Sequence, residues 1–355
     1  MHNARSELKS ALRSLFTLNP QKGPRRWIAT RAALSMGVPL AVMTFAGRPD
    51  LGLQAGTGAF LALFFAGAQA KERAKVLPVM AAALLTCAAI GTWLAPWPWI
   101  SATVMVFVAI AGSAFAFGFR IGPPGPVFFV LMYGLASMIT AEYDGARRID
   151  PLVFLTALAS GLAFAYLLAL LPLLLPSQRT RPARTLRELL PGPWLGDGEG
   201  WLIARVAVVS AAGMVVSMLW IDPGRAYWTV AAGIAVIGLS TVPTHALSRG
   251  MHRTFGTLVG ALLYLVIAPL GAHPWVFVLL LAGLQFVIEL VVVRNYGVAL
   301  VFITPLVLLI AGAAMGSTDH LTTATERLVD TAVGSALAMA SGFLQRPGAA
   351  ARASR

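Results

Sequence analysis

Residues 297–315 read GVALVFITPLVLLIAGAAM, a run with no charged side chain, and Arg294 stands just before it. A helix needs about 20 mainly apolar residues to cross a bilayer, so this stretch alone predicts a membrane span. Working outward, comparable runs fall near 204–220, 226–243, 255–270, 275–293 and 328–344. Six more precede them, near 32–47, 53–70, 77–95, 99–118, 126–141 and 152–175. The gaps hold helix breakers: Pro49, Pro96, Pro98, the Gly122–Pro126 cluster, Asp222-Pro223-Gly224 and His273-Pro274. The reading is an all-α polytopic membrane protein of about twelve transmembrane helices.

The composition agrees. The 355 residues are 58% hydrophobic and 12% charged, with a mean hydropathy of +0.77. An ordinary soluble domain is about 45–50% apolar and about 25% charged. The polar stretches 1–31 and 176–203 are too short for a soluble catalytic domain of typical size. Residues 1–31 have no early apolar region, so they read as a basic cytoplasmic segment rather than a cleaved signal. Within them Leu8, Ala11, Leu12, Leu15 and Phe16 share one helical face, as in a short helix lying on the inner leaflet. A disordered basic leader is the plainer alternative. Cys87 is the lone cysteine, which excludes an intrachain disulfide and a Cys-based metal site.

Charge sets the orientation. With the N-terminus inside, the outer loops keep Arg48, Arg147, Arg148, Arg225 and Arg327, and the other 22 of the 27 Lys and Arg lie on the cytoplasmic side. Asp50, Glu142, Asp144, Asp150, Asp222, Asp319 and Glu326 collect outside. This bias predicts cytoplasmic N- and C-termini. The net charge of +13 is then an orientation signal and not a nucleic-acid footprint.

The halves look duplicated. Arg31 and Arg205, Pro49 and Pro223, Arg120 and Arg294, and Phe128 and Phe302 are each 174 residues apart; Gly161 and Gly334 are 173 apart. The expected organisation is a basic segment (1–31), a six-helix repeat (32–175), a cytoplasmic linker (176–203), a second six-helix repeat (204–345) and a tail (346–355). Two parallel repeats would place a substrate path between them.

Catalytic signatures are missing. The chain has no HExxH, GxSxG or Walker A sequence, and its five histidines lack metal-ligand spacing. The expectation is a non-enzyme without cofactor or metal. Charges inside apolar runs are expensive and often functional. Glu289 and Asp330 are therefore proton-coupling candidates, against plain ion pairs of Glu289 with Arg294 or Arg253 and of Asp330 with Arg327. Arg253-Thr254-Phe255-Gly256-Thr257-Leu258-Val259-Gly260 and Arg327-Leu328-Val329-Asp330-Thr331-Ala332-Val333-Gly334 both read R-x-x-x-T-x-x-G. Gly256, Thr257, Gly260, Thr331 and Gly334 are thus expected to pack helices closely, with Arg253 anchored at the inner interface and Arg327 at the outer. Pro305 withholds a backbone donor in mid-span, so Thr304 and Pro305 are expected to break the helix and line a cavity, a simple kink being the alternative. Trp93, Trp97, Trp99, Trp220, Tyr227, Trp228 and Trp275 fall at predicted outer ends and suit an interfacial belt. Tyr227 and Trp228 also suit an outer vestibule.

Ala226-Tyr227-Trp228-Thr229-Val230, followed by Arg253-x-x-Gly256-Thr257-x-x-Gly260, resembles the core of the fusaric acid resistance family, which includes the aromatic acid exporters. The Arg294–Pro305 stretch and Arg120-Ile121-Gly122-Pro123-Pro124-Gly125-Pro126 are similar to that group too. The resemblance implies a bacterial inner-membrane permease with six-helix repeats, exporting aromatic carboxylic anions or related toxic compounds, in some members with a periplasmic adaptor subunit. Many relatives carry a large cytoplasmic domain after each membrane block; here only a linker and a short tail occupy those places. The candidate substrate path is Arg253, Arg294, Tyr227, Trp228, Thr304 and Pro305. The expected partners are the lipid bilayer, a small organic anion, such an adaptor and a second copy of the chain, with no nucleic acid. A passive anion channel and an accessory efflux subunit are the alternatives.

Overall fold

The computed structural model describes residues 12–15, 17–20, 23, 25–143, 145–147, 149–240 and 243–342. Most of the expected leader helix and the tail therefore lie outside the described residues. Twelve principal helices follow one another: α1 (Arg26–Phe45), α2 (Pro49–Gly56, extended by a tighter turn to Leu63), α3 (Ala70–Leu94), α4 (Pro98–Gly118), α5 (Val127–Ile139), α6 (Pro151–Leu170), α7 (Asp197–Val216), α8 (Ala226–Ile237), α9 (Pro243–Ile267), α10 (Pro274–Val291), α11 (Tyr296–Met315) and α12 (His320–Ser341). A two-residue hairpin, Glu142–Tyr143 with Ala146–Arg147, joins α5 to α6.

Local chemistry sets the helix starts. Pro49, Pro98, Pro151 and Pro274 open α2, α4, α6 and α10, where a missing N–H is harmless. Asp150, Asn295 and Asp319 cap α6, α11 and α12 by accepting from backbone N–H groups. Gln69 and Glu72 form a capping box at α3.

Eight helices are long and apolar enough to cross a membrane among the described residues. The other four are α12, which is long but more polar, and the short α2, α5 and α8. The twelve expected runs each yield a helix, but they are not twelve full-length spans. At about 1.5 Å per residue, the 12 residues of α8 cover little more than half of a hydrocarbon core of about 30 Å.

The second helix of each half is a short one, and arginines satisfy its end. Carbonyls at a helix C-terminus lack intrahelical donors and carry the negative end of the dipole, so inside a bilayer the protein must supply partners. Arg31 Nη2 donates to the Ala66 carbonyl at 3.0 Å and Arg73 Nη1 to Ala68 at 2.6 Å, just beyond α2. Arg249 Nε donates to Ala235 at 2.9 Å near the end of α8, and Gly238 leaves that helix at φ +65°. Helix α11, by contrast, runs unbroken through Pro305. The expected interruption at Pro305 is absent, and the chain breaks after the short second helices instead.

Packing is parallel in the two halves. The neighbours α1–α2, α2–α6, α3–α5, α3–α6 and α4–α5 are matched by α7–α8, α8–α12, α9–α11, α9–α12 and α10–α11. Between halves, α1 lies on α10 and α4 on α7. Glycines permit the closest approaches. A Cβ on Gly161 would overlap the Ala55 carbonyl, and one on Gly334 the Thr229 carbonyl. Gly256 sits on the Gly297 carbonyl and Gly260 on Thr304, while Thr257 and Thr331 are buried beside them.

Candidate functional site: buried arginines between α9 and α12

Arg253 lies ten residues into α9 and Arg327 seven residues into α12. These offsets place them about 15 Å and about 10 Å from the helix starts. The two helices pack together and run antiparallel, with Gly250 against Met339 and Tyr264 against His320, so both arginines lie on packed helices away from the helix starts. They are 7% and 5% exposed. Both expected anchors are thus buried by protein.

Their polar contacts are few. Arg253 Nη1 donates to the Tyr296 hydroxyl at 2.8 Å, and the guanidinium carbon of Arg327 lies 4.8 Å from the Trp228 ring centre. Arg253 Nε, Arg327 Nε and Arg327 Nη1 have no hydrogen-bond partner among the described residues. The Arg327 guanidinium feels the opposing charges of Arg253 and Asp330. Arg249 stacks over the Tyr296 ring at 4.5 Å while capping α8. Two buried guanidinium groups with unused N–H donors, one of them near the Asp330 carboxylate, form a polar site inside an apolar bundle. Buried donors left unsatisfied are costly, and an anion accepting them would relieve that cost.

Asp330 is fully buried, but its ion-pair partner is Arg225 at 3.4 Å, not Arg327. Thr229 Oγ1 is 3.5 Å from the same carboxylate, and Arg225 also reaches Asp222 and Glu326. Arg327 makes no direct ion pair with Asp330, though it feels that charge, and it stacks on Trp228. The register of Gly161 with Gly334 aligns Arg327 with the buried Phe154 and Asp330 with Ala157. The charged cluster thus belongs to the second half alone.

The other candidates are placed differently. Glu289 pairs with Arg25 at 3.0 Å, on the approach to α1, in place of Arg294 or Arg253. Arg294 is exposed and outside the cluster. Thr304 and Pro305 are buried against α9. Tyr227 packs on Gly134 of α5, and its hydroxyl contacts the Met138 sulfur at 3.2 Å. Tyr227 and Trp228 are each 3% exposed, so they form buried core and not a vestibule or a belt, whereas Trp93, Trp97, Trp99, Trp220 and Trp275 are exposed. Among the described residues no three His, Cys, Asp or Glu side chains gather as a metal site. The sequence reading missed Tyr296 and Arg249, and took Arg327 for an anchor. The repeated R-x-x-x-T-x-x-G pattern was the available signal, because a packing glycine about two turns beyond an arginine puts that arginine on the same, inward face.

The family match concerns this same half. Residues 210–341 match the fusaric acid resistance protein-like family. Arg225, Trp228, Arg249, Arg253, Tyr296, Arg327 and Asp330 all fall within the match. The uncharacterized membrane protein YvaC of Bacillus subtilis (strain 168) is 32% identical over 136 residues, which is 38% of this chain and 22% of that protein. The chain thus matches less than a quarter of that relative's length. No solved structure matches. The protein is a multi-pass membrane protein with a fusaric-acid-resistance-like region, and such a region is consistent with a membrane transporter.

Proposed function

We propose that the protein exports small organic anions, aromatic carboxylates foremost, across the bacterial inner membrane, with both termini in the cytoplasm. The observation that carries this reading is Arg253 and Arg327, both buried among the helices, with three guanidinium nitrogens unpartnered among the described residues. A carboxylate presents acceptors only, and charge-assisted bonds to arginine are the strong ones. The anion would be drawn to the positive cytoplasmic face and seated between α9 and α12, with Trp228 and Tyr296 holding the guanidinium groups in place.

The matched helix neighbours and the recurring short second helix support two parallel repeats. Rocking of one repeat on the other would expose the seat to each side in turn. Asp330, joined to Arg225 on the outer side of the seat, is the better-placed proton-coupling group. Glu289 is already tied to the start of α1 through Arg25. The test is a strain lacking the protein, challenged with a panel of weak aromatic acids and complemented by the wild-type chain. Hypersensitivity reversed by the wild type supports export. Equal growth, with the protein shown to be expressed in the parent, counts against it.

A further inference from the structure

The described part of the N-terminal segment does not simply rest on a membrane surface. Ser14 Oγ lies 2.9 Å from His252 Nε2 and 3.0 Å from Ser248 Oγ, both on α9. His252 Nδ1 accepts from the Gly297 N–H at 3.1 Å, which leaves the ring proton on Nε2 to donate to Ser14. Asn295 Nδ2 donates to the carbonyls of Leu15 at 2.8 Å, Thr17 at 3.1 Å and Ser14 at 3.3 Å. The Asn19 N–H donates to the Arg294 carbonyl at 2.9 Å. The chain then reaches Arg25, which grips Glu289 through both its carboxylate and its carbonyl before α1 begins.

These contacts all join the leader of the first half to α9, α10 and α11 of the second. They also sit on the residues next to the site: His252 precedes Arg253, and Asn295 precedes Tyr296. We propose that Ser14, Leu15, Thr17, Asn19 and Arg25 form a strap that staples the two halves at the cytoplasmic side and gates access to the arginine pair. This inference rests on the transport reading above, because only halves that move apart need a staple that releases.

Two experiments test it. In a Cys87→Ala background, Ser14→Cys with Ser248→Cys places two thiols where the hydroxyls are 3.0 Å apart, close enough for a disulfide after a small side-chain rotation. The oxidised protein in liposomes should lose at least tenfold in benzoate counterflow, and a reductant should restore it in the same sample. Failure to crosslink overturns the placement of the strap. A verified crosslink with unchanged flux overturns the gating. A reduced protein without flux, when the Cys87→Ala parent also has none, overturns the transport reading itself. The second variant, Asn295→Asp, keeps the oxygen that caps α11 at Val298 but removes the three donations to the strap. It should raise the initial counterflow rate several-fold, and a rate equal to wild type overturns the proposal.

Discussion

Arg327→Met separates a structural arginine from one that serves a ligand. In the structure Arg327 keeps two guanidinium nitrogens unpartnered and stacks on Trp228 at 4.8 Å. Each buried, unsatisfied donor costs about 1–3 kcal/mol, and a desolvated cation–π contact returns about 2 kcal/mol. Methionine is nearly as long, flexible and apolar, so it fills the space without the penalty. The variant should therefore gain up to about 4 kcal/mol of stability, the cost of two donors less the cation–π contact. If the guanidinium holds a carboxylate, loss of two charge-assisted bonds removes about 3 kcal/mol of binding, or roughly a hundredfold. Thermal unfolding in detergent and benzoate counterflow in liposomes read the two effects. Stability should rise while flux collapses. A lower midpoint with unchanged flux would refute the reasoning and make Arg327 a structural cation.

Other outcomes follow from the same geometry. Gly334→Leu drives a side chain into the Thr229 carbonyl and should abolish monodisperse protein on size exclusion, whereas Gly283→Leu, at a position with open space, should be tolerated. Glu289→Gln breaks the buried pair with Arg25, a loss of about 3–5 kcal/mol by precedent; it should lower thermal stability yet leave the pH dependence of transport unchanged. Asp330→Asn should do the reverse, abolishing accumulation driven by a pH gradient while counterflow persists. Cysteines placed singly at Arg181 and Gly145 should react with an impermeant maleimide only from the cytoplasmic and the outer side respectively, and the opposite pattern would invert the topology.

Much of the fold was legible because bilayer crossing is written in long apolar runs, and each run yields a helix. Helix length was less legible. Residues 226–243 carry no charged side chain, yet α8 stops at Ile237 because Gly238 and the arginine cap at Ala235 end it there. Side-chain pairing was hardest to read. Spacing set Asp330 against Arg327 one turn away, but Arg225, distant in sequence, reaches the carboxylate from the start of α8. Likewise Glu289 finds Arg25 across the halves. The glycines of the R-x-x-x-T-x-x-G motifs were legible as packing residues, since close backbone approach requires them. That the same motifs carry two arginines to one place depends on α9 and α12 entering from opposite sides, which is tertiary information.

The central claim is that a buried arginine pair carries an organic anion across the membrane. The most direct measurement is the initial rate of benzoate counterflow in liposomes holding wild type, Arg253→Gln or Arg327→Gln, against protein-free liposomes. The account predicts saturable flux for the wild type, and a loss of about tenfold or more for either variant, the effect of removing about 1.4 kcal/mol of binding. Flux at the protein-free level for the wild type, or full flux in both variants, would contradict it.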